Sequence, residues 1–122
     1  MKTHRELDVW RRSIDLAKEV YQVTRGFPRD EQFGLVTQMR RSTVPIASNI
    51  AEGAARRGTK EFIQFLYVVA GSASELDTQL EIAKAIGASC SEELQSVQDS
   101  VVRVTMMLRG LIRSLKASST PI

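Results

Sequence analysis

Leu94, Val97, Val101, Val104, Leu108, Leu111 and Leu115 recur at alternating intervals of three and four residues. An apolar line of that period runs along one side of an α-helix, and it is the seam by which helices pack in bundles and coiled coils. Such a helix cannot bury its seam alone, so the rest of the chain has to supply partners. Three interruptions divide that remainder: RGFPRD beginning at Arg25, ARRGT beginning at Ala55 and IGASCS beginning at Ile86. Each contains the glycine, proline or serine that stops or starts helices. No segment alternates with the period of two that a half-buried strand requires. The expected elements are four helices, about 6–25, 30–56, 59–87 and 91–116, in a single domain over 1–122 with a disordered tail at 117–122. Short connections make consecutive helices antiparallel neighbours, so the expected fold is all-α, an up-down-up-down antiparallel four-helix bundle.

Local chemistry suggests where each helix stops. Gly26 closes the first helix, and Pro28 and Asp30 open the second. Gly58 is expected in the left-handed conformation after the second helix, with Thr59 capping the third. Gly87 ends the third, and Ser89 or Ser91 caps the fourth, with Glu92 and Glu93 in its first turn.

The first helix carries two apolar lines. Leu7, Trp10, Ile14, Ala17 and Tyr21 follow the three-and-four rhythm and are read as its core face; Val9, Leu16, Val20 and Val23 form the second line. In the third helix the core line is Phe62, Phe65, Leu66, Val69, Ala73, Leu76 and Leu80, with Glu75 and Gln79 beside it among Val68, Ile82 and Ile86. Second lines either widen the core stripe or pack against a neighbouring subunit. The amount of lateral apolar surface favours the second, a homo-oligomer.

The stretch from Arg40 to Phe62 sets polar residues where a helix meets its neighbours. Leu35, Met39, Ile46 and Ile50 share one face; Asn49 lies at its edge, and Gln38, Pro45 and Glu52 lie just beyond. Pro45 removes one helical hydrogen bond and is expected to bend the helix or loosen a turn, with Ser42 and Thr43 hydroxyls taking up the freed group. Asn49, Glu52 and Glu75, with Arg40 or Arg41, are expected to form a buried polar network that fixes register or a subunit contact.

Chemistry of other kinds finds little footing. Cys90 is the only cysteine, which rules out an internal disulfide and suits a reducing cytoplasm. The amino terminus is charged throughout, unlike a signal peptide, and no apolar run approaches the ~20 residues that span a bilayer. The expected location is the cytoplasm, away from membranes. His4, the only histidine, has no second ligand nearby, and no Gly-rich phosphate loop or Glu-x-x-His pair occurs. No catalytic residue, metal ligand or cofactor is expected.

Charge is distributed unevenly. The net charge is only +3, with a pI near 9.4. In the expected topology, however, the first helix starts, the second ends, the third starts and the fourth ends at one pole. That pole gathers Lys2, Arg5, Arg56, Arg57, Lys60, Arg109, Arg113 and Lys116 against Glu6, Asp8, Glu52 and Glu61. The opposite pole sets Arg25, Arg29 and Lys84 against Asp30, Glu31, Glu92 and Glu93. Two readings remain open. Arginine and lysine at helix ends complement the helix dipole, or Arg5, Arg56, Arg57, Lys60, Arg109, Arg113 and Lys116 form a phosphate-binding surface. The sequence interleaves no aromatics with these cations, so stacking of single strands is not expected.

ELDVWRRSIDLAKEVY from Glu6, FPRDEQFGLVTQMRRSTVPIASNIAEG from Phe27 and FLYVVAGSASELDTQLEIA from Phe65 resemble the four helix bundle protein family. Its bacterial members are also called intervening-sequence proteins, because some are encoded within insertions in large-subunit ribosomal RNA genes. The similarity runs from about Leu7 to Leu115, and Asn49-Ile50-Ala51-Glu52-Gly53 and Gly71-Ser72-x-x-Glu75-Leu76 are its most specific parts. Ala54-Ala55 departs from the tighter Gly-Arg arrangement of the family pattern. The resemblance implies a four-helix protomer assembled into a ring-like homo-oligomer, a pentamer. Related proteins are accessory factors of diversity-generating retroelements, linked to nucleic acid and a reverse transcriptase; many members have no established function. The expected function is non-enzymatic binding of RNA or DNA, or of a nucleic-acid-associated protein, through the basic pole of such a ring. The alternative is a protein-interaction scaffold that does not bind nucleic acid; an enzyme with a site between subunits is a weaker third.

Overall fold

The structure, a computed structural model, describes residues 3–119. Four helices account for most of it: α1 (Asp8–Thr24), α2 (Thr37–Ala54), α3 (Thr59–Ala85) and α4 (Ser91–Ser119). Each packs against its neighbour in the chain, and α1 also packs against α4, which closes a four-helix bundle. The directions alternate. Gly53 near the end of α2 meets Phe62 and Phe65 near the start of α3, and Gln98 of α4 reaches back to Asp77 and Glu81 of α3. Ser100 of α4 donates to Glu19 of α1. Among the described residues no helix is long and apolar enough to cross a membrane.

The α4 seam is buried as its period requires: Leu94, Val97, Val101, Val104 and Leu108 lie inside, with Leu111 and Leu115 packed at the margin. The same core takes in Leu66, Val69, Ala73, Leu76 and Leu80 of α3 and Met39, Ile46 and Ile50 of α2.

In α1 the expected faces are exchanged. Val9, Leu16, Val20 and Val23 are the core line, whereas Ile14 and Tyr21 are more than a third exposed and Trp10 sits at the margin. The reason is chemical. Ser13 and Thr24 fill gaps in the true core line, and each hydroxyl donates to the carbonyl four residues back, Val9 and Val20, at 2.7 Å. A hydroxyl satisfied within its own helix is buried without a lost hydrogen bond. In the sequence those residues look like polar breaks.

The helix ends also differ from expectation in part. Gly87 takes φ +67, and Ala88 N–H bonds the Ala83 carbonyl at 2.9 Å while Gly87 N–H bonds that of Lys84, the paired bonds of a Schellman stop. Gly58 is not left-handed: its φ is −102, and it is the extended residue that precedes α3. The chain leaves α2 through a right-handed residue, Ala55, so no left-handed position is needed, and Thr59 is the first residue of α3 rather than its cap. A 3-10 turn at Arg29–Glu31 and a π-helical turn at Gln32–Val36 precede α2, where a regular helix was expected from residue 30. The loosened turn therefore lies upstream of Pro45, and α2 runs through Pro45 as α-helix. Neither hydroxyl serves the proline: Ser42 donates to the Gln38 carbonyl, and the Thr43 oxygen is buried without a partner. α4 continues to Ser119, taking in three residues of the expected tail; residues 120–122 and Lys2 lie outside the described residues.

Gly53 sets the closeness of α2 to α3. A Cβ built there would lie 2.7 Å from Phe65 Cβ and 2.9 Å from Phe62 Cδ1. Gly71 is the contrasting case, a helical glycine whose added Cβ meets nothing within 4 Å. Gly71→Ala is expected to stabilise by about 0.5–1 kcal/mol through helix propensity. Gly53→Ala receives the same propensity gain against about 1–3 kcal/mol of overpacking, and is expected to destabilise. Urea unfolding midpoints of the two variants moving in opposite directions check this.

Candidate nucleic-acid interface

The start of α1, the end of α2, the start of α3 and the end of α4 meet at one pole. The 3-10 turn at His4–Glu6, which carries Arg5, packs against α2 ahead of α1. Arg56 and Arg57 follow α2 directly, Lys60 lies in the first turn of α3, and Arg109, Arg113 and Lys116 climb the last part of α4. All seven cations are exposed. The carboxylates of this pole are Glu6, Asp8, Glu52 and Glu61, and Asp8 is held by Arg11. Among the described residues no carboxylate pairs with Arg56, Arg57, Lys60, Arg109 or Arg113. The pole is thus positive, its cations outnumbering its carboxylates.

The length of α4 bears on why the charge is there. The dipole effect fades within the last turn of a helix. With α4 reaching Ser119, only Lys116 lies in that turn; Arg109 and Arg113 lie further back along the helix. Helix-end complementarity therefore accounts for Lys116 and for the residues after α2, but leaves Arg109 and Arg113 without that explanation.

The expectation that this pole lacks aromatics is corrected by the packing. The Arg5 guanidinium carbon lies 5.3 Å from the centre of the Trp10 ring, that of Arg56 lies 4.9 Å from Phe65, and Lys116 Nζ lies 5.3 Å from Tyr67. His4 meets the Trp10 ring edge-on at 4.9 Å. Trp10 and Phe65 are half-buried, and Tyr67 is 50% exposed. An exposed cation–π contact of this kind is worth about 0.5–1 kcal/mol. The pairs were hidden from the sequence because their members lie in different helices, or either side of a turn. In each, the register of packing makes the contact.

The expected polar network of Asn49, Glu52 and Glu75 is not formed within the chain. Asn49 Nδ2 donates to the Pro45 carbonyl of its own helix at 3.0 Å. Glu75 accepts from Gln79 at 3.4 Å, and Glu52 and Glu75 are both exposed rather than buried. Arg40 turns to α1 instead, where Nε donates to Thr24 Oγ1 at 3.1 Å and the guanidinium stacks on Tyr21 at 4.5 Å. The physical reason is position: Asn49 is at the edge of the α2 stripe, where its side chain reaches back to the carbonyl one turn earlier in its own helix, and Glu52 on α2 and Glu75 on α3 lie in solvent. On α3 the exposed stripe is Val68, Glu75, Ile82 and Ile86.

Among the described residues no cluster of three or more His, Cys, Asp or Glu is arranged to hold a metal ion, and Cys90 is exposed and free. The clefts are open surface grooves. One of about 380 Å³ lies between α3 and α4 and is bordered by Ser74, Asp77, Thr78, Val102, Met106 and Arg109.

A family model described as 23S rRNA-intervening sequence protein matches residues 5–110. Among solved structures, the chain is similar to a protein of unknown function from the S23 ribosomal protein family of Bacteroides thetaiotaomicron VPI-5482. The likeness has a TM-score of 0.80 at 21% sequence identity, over 86% of this chain and 95% of that one. No curated protein matches the chain.

Proposed function

This chain belongs to the 23S rRNA-intervening sequence protein family, and on that premise we propose that it is a non-enzymatic, homo-oligomeric nucleic-acid-binding protein of the cytoplasm whose basic pole engages RNA. The observation that carries this reading is the pole itself, where segments distant in sequence bring seven exposed cations to one end of the bundle. Phosphate neutralisation of that kind is additive across contacts, and a ring of protomers, a pentamer by family resemblance, multiplies it. The exposed stripe of Val68, Glu75, Ile82 and Ile86 on α3 is the surface offered for the subunit contact.

Apolar side chains exposed away from that stripe, Phe33 and Val44, favour a second reading, a ring that recruits a protein partner through apolar contacts and leaves RNA alone. Salt separates the two. For the basic pole, affinity for a hairpin RNA is expected to fall linearly on a log–log plot as salt rises, by about 0.7–0.9 decade per decade of salt for each phosphate engaged. Titration of labelled hairpin RNA and duplex DNA at several salt concentrations, on protein whose mass is fixed by light scattering, measures this. An oligomer that ignores both nucleic acids sinks the proposal in favour of the protein scaffold. A monomeric mass removes the ring.

A further inference from the structure

The groove between α3 and α4 runs from Asp77, whose carboxylate accepts from Gln98 Nε2 at 3.3 Å, to Arg109 on the side of the basic pole. Val102 and Met106 on its α4 side are 53% and 66% exposed, well above what a helix in a finished core shows. Arg109 borders it, and Arg113 and Lys116 continue the same line of α4 by one and two turns. On the α3 side the face that bears Ser74 continues one turn to Gly71 and a second to Tyr67, whose ring lies under Lys116. An added Cβ at Gly71 meets nothing within 4 Å, so the wall between Tyr67 and Ser74 is low and open. The strip from Val102 to Lys116 is about 21 Å long at the helical rise.

A ligand for this strip needs flat apolar faces and negative charges at short, regular intervals. Duplex nucleic acid offers the charges but keeps its base faces stacked inside. Unpaired nucleotides offer both. We propose that the groove holds an unpaired stretch of nucleic acid, with one base stacked on Tyr67 and neighbouring phosphates on Arg109, Arg113 and Lys116. Base–aromatic stacking is worth more than an exposed cation–π contact, so the base replaces the Lys116 ammonium over the ring and the ammonium moves to a phosphate. The inference rests on the basic-pole reading and specifies what that pole takes: single strands in addition to the backbone of folded RNA.

The test compares four probes on the whole chain: oligouridine, an abasic oligomer of the same length, a fully paired hairpin and an acidic amphipathic peptide. Tyr67 is half-exposed, so Tyr67→Ala is expected to stay cooperatively folded, its melting midpoint lowered by no more than the few degrees that loss of the Lys116 contact costs. It is expected to weaken oligouridine binding about tenfold or more and to leave hairpin binding and its salt slope unchanged; Tyr67→Phe retains wild-type affinity. The abasic oligomer is expected to bind weakly and without regard to residue 67. Wild-type oligouridine affinity in Tyr67→Ala, or equal binding of the abasic oligomer, overturns the stacking groove while salt-sensitive hairpin binding still upholds the basic pole. Loss of an acidic amphipathic peptide, rather than oligouridine, on Tyr67→Ala reassigns the groove to a protein partner. Failure of every probe to bind overturns both readings.

Discussion

Replacing Arg56, Arg57, Arg109 and Arg113 together with alanine is expected to lower the affinity for hairpin RNA about a thousandfold near 0.1 M salt. With one phosphate per arginine, each contact contributes about 0.7–0.9 decade of counterion release at that salt, and four give about three decades. The salt slope should fall by about three units at the same time. That double signature matters, because misfolding lowers affinity without setting the slope change to the number of charges removed. The four side chains are exposed, and none is in an ion pair among the described residues. Their removal is therefore expected to leave the fold intact, with a loss of about 1–3 kcal/mol from a helix-end charge at each of Arg56 and Arg57 and from the Arg56 contact with Phe65. Fluorescence anisotropy across salt and a circular-dichroism melt supply the measurements. Unchanged affinity and slope, with a shifted melt, would make the arginines stabilisers of helix ends and nothing more.

How far the sequence carried this reading depends on whether a residue's role is set within its own helix or by packing between helices. The α4 seam from Leu94 to Leu108 was legible because every position repeats the same apolar chemistry at the helical period. The collection of Arg5, Arg56, Arg57, Lys60, Arg109, Arg113 and Lys116 at one pole was legible too, since alternating helices leave no other place for them. Gly87 could be placed because its left-handed conformation is a local requirement. The core face of α1 was not legible, because Ser13 and Thr24 are buried through bonds to backbone carbonyls that the residue types alone do not announce. The π-helical turn at Gln32–Val36 was missed for a related reason. It is held by Thr37 Oγ1 on the Gln32 carbonyl at 2.8 Å and Glu31 Oε1 on the Leu35 N–H at 3.4 Å, in a stretch whose apolar period suits an ordinary helix. The aromatic rings under Arg56 and Lys116 depend on the register between helices, and Gly53 is the residue that brings the Phe65 helix close enough.

The exchange of faces in α1 leads to the second large expected effect. Leu16 is fully buried, and Ile14, two residues away, is 38% exposed. Truncating a buried leucine costs about 2–5 kcal/mol, and an unpaired carboxylate in its place adds the penalty of burying a charge or of protonating it. The total reaches the whole stability of a small domain, about 5–15 kcal/mol. Leu16→Asp is therefore expected to lose cooperative unfolding and most helical circular dichroism at neutral pH. Ile14→Asp is expected to stay folded, within about 1 kcal/mol of the parent, because its carboxylate reaches water. The contrast is sharp because the apolar rhythm of Leu7, Trp10, Ile14, Ala17 and Tyr21 ranks the two residues the other way. A Leu16→Asp chain that melted like the parent beside an unfolded Ile14→Asp chain would restore that rhythm as the core, and would turn the Val9, Leu16, Val20 and Val23 line outward. The bundle built on Ser13 and Thr24 as buried residues would then be wrong at its first helix.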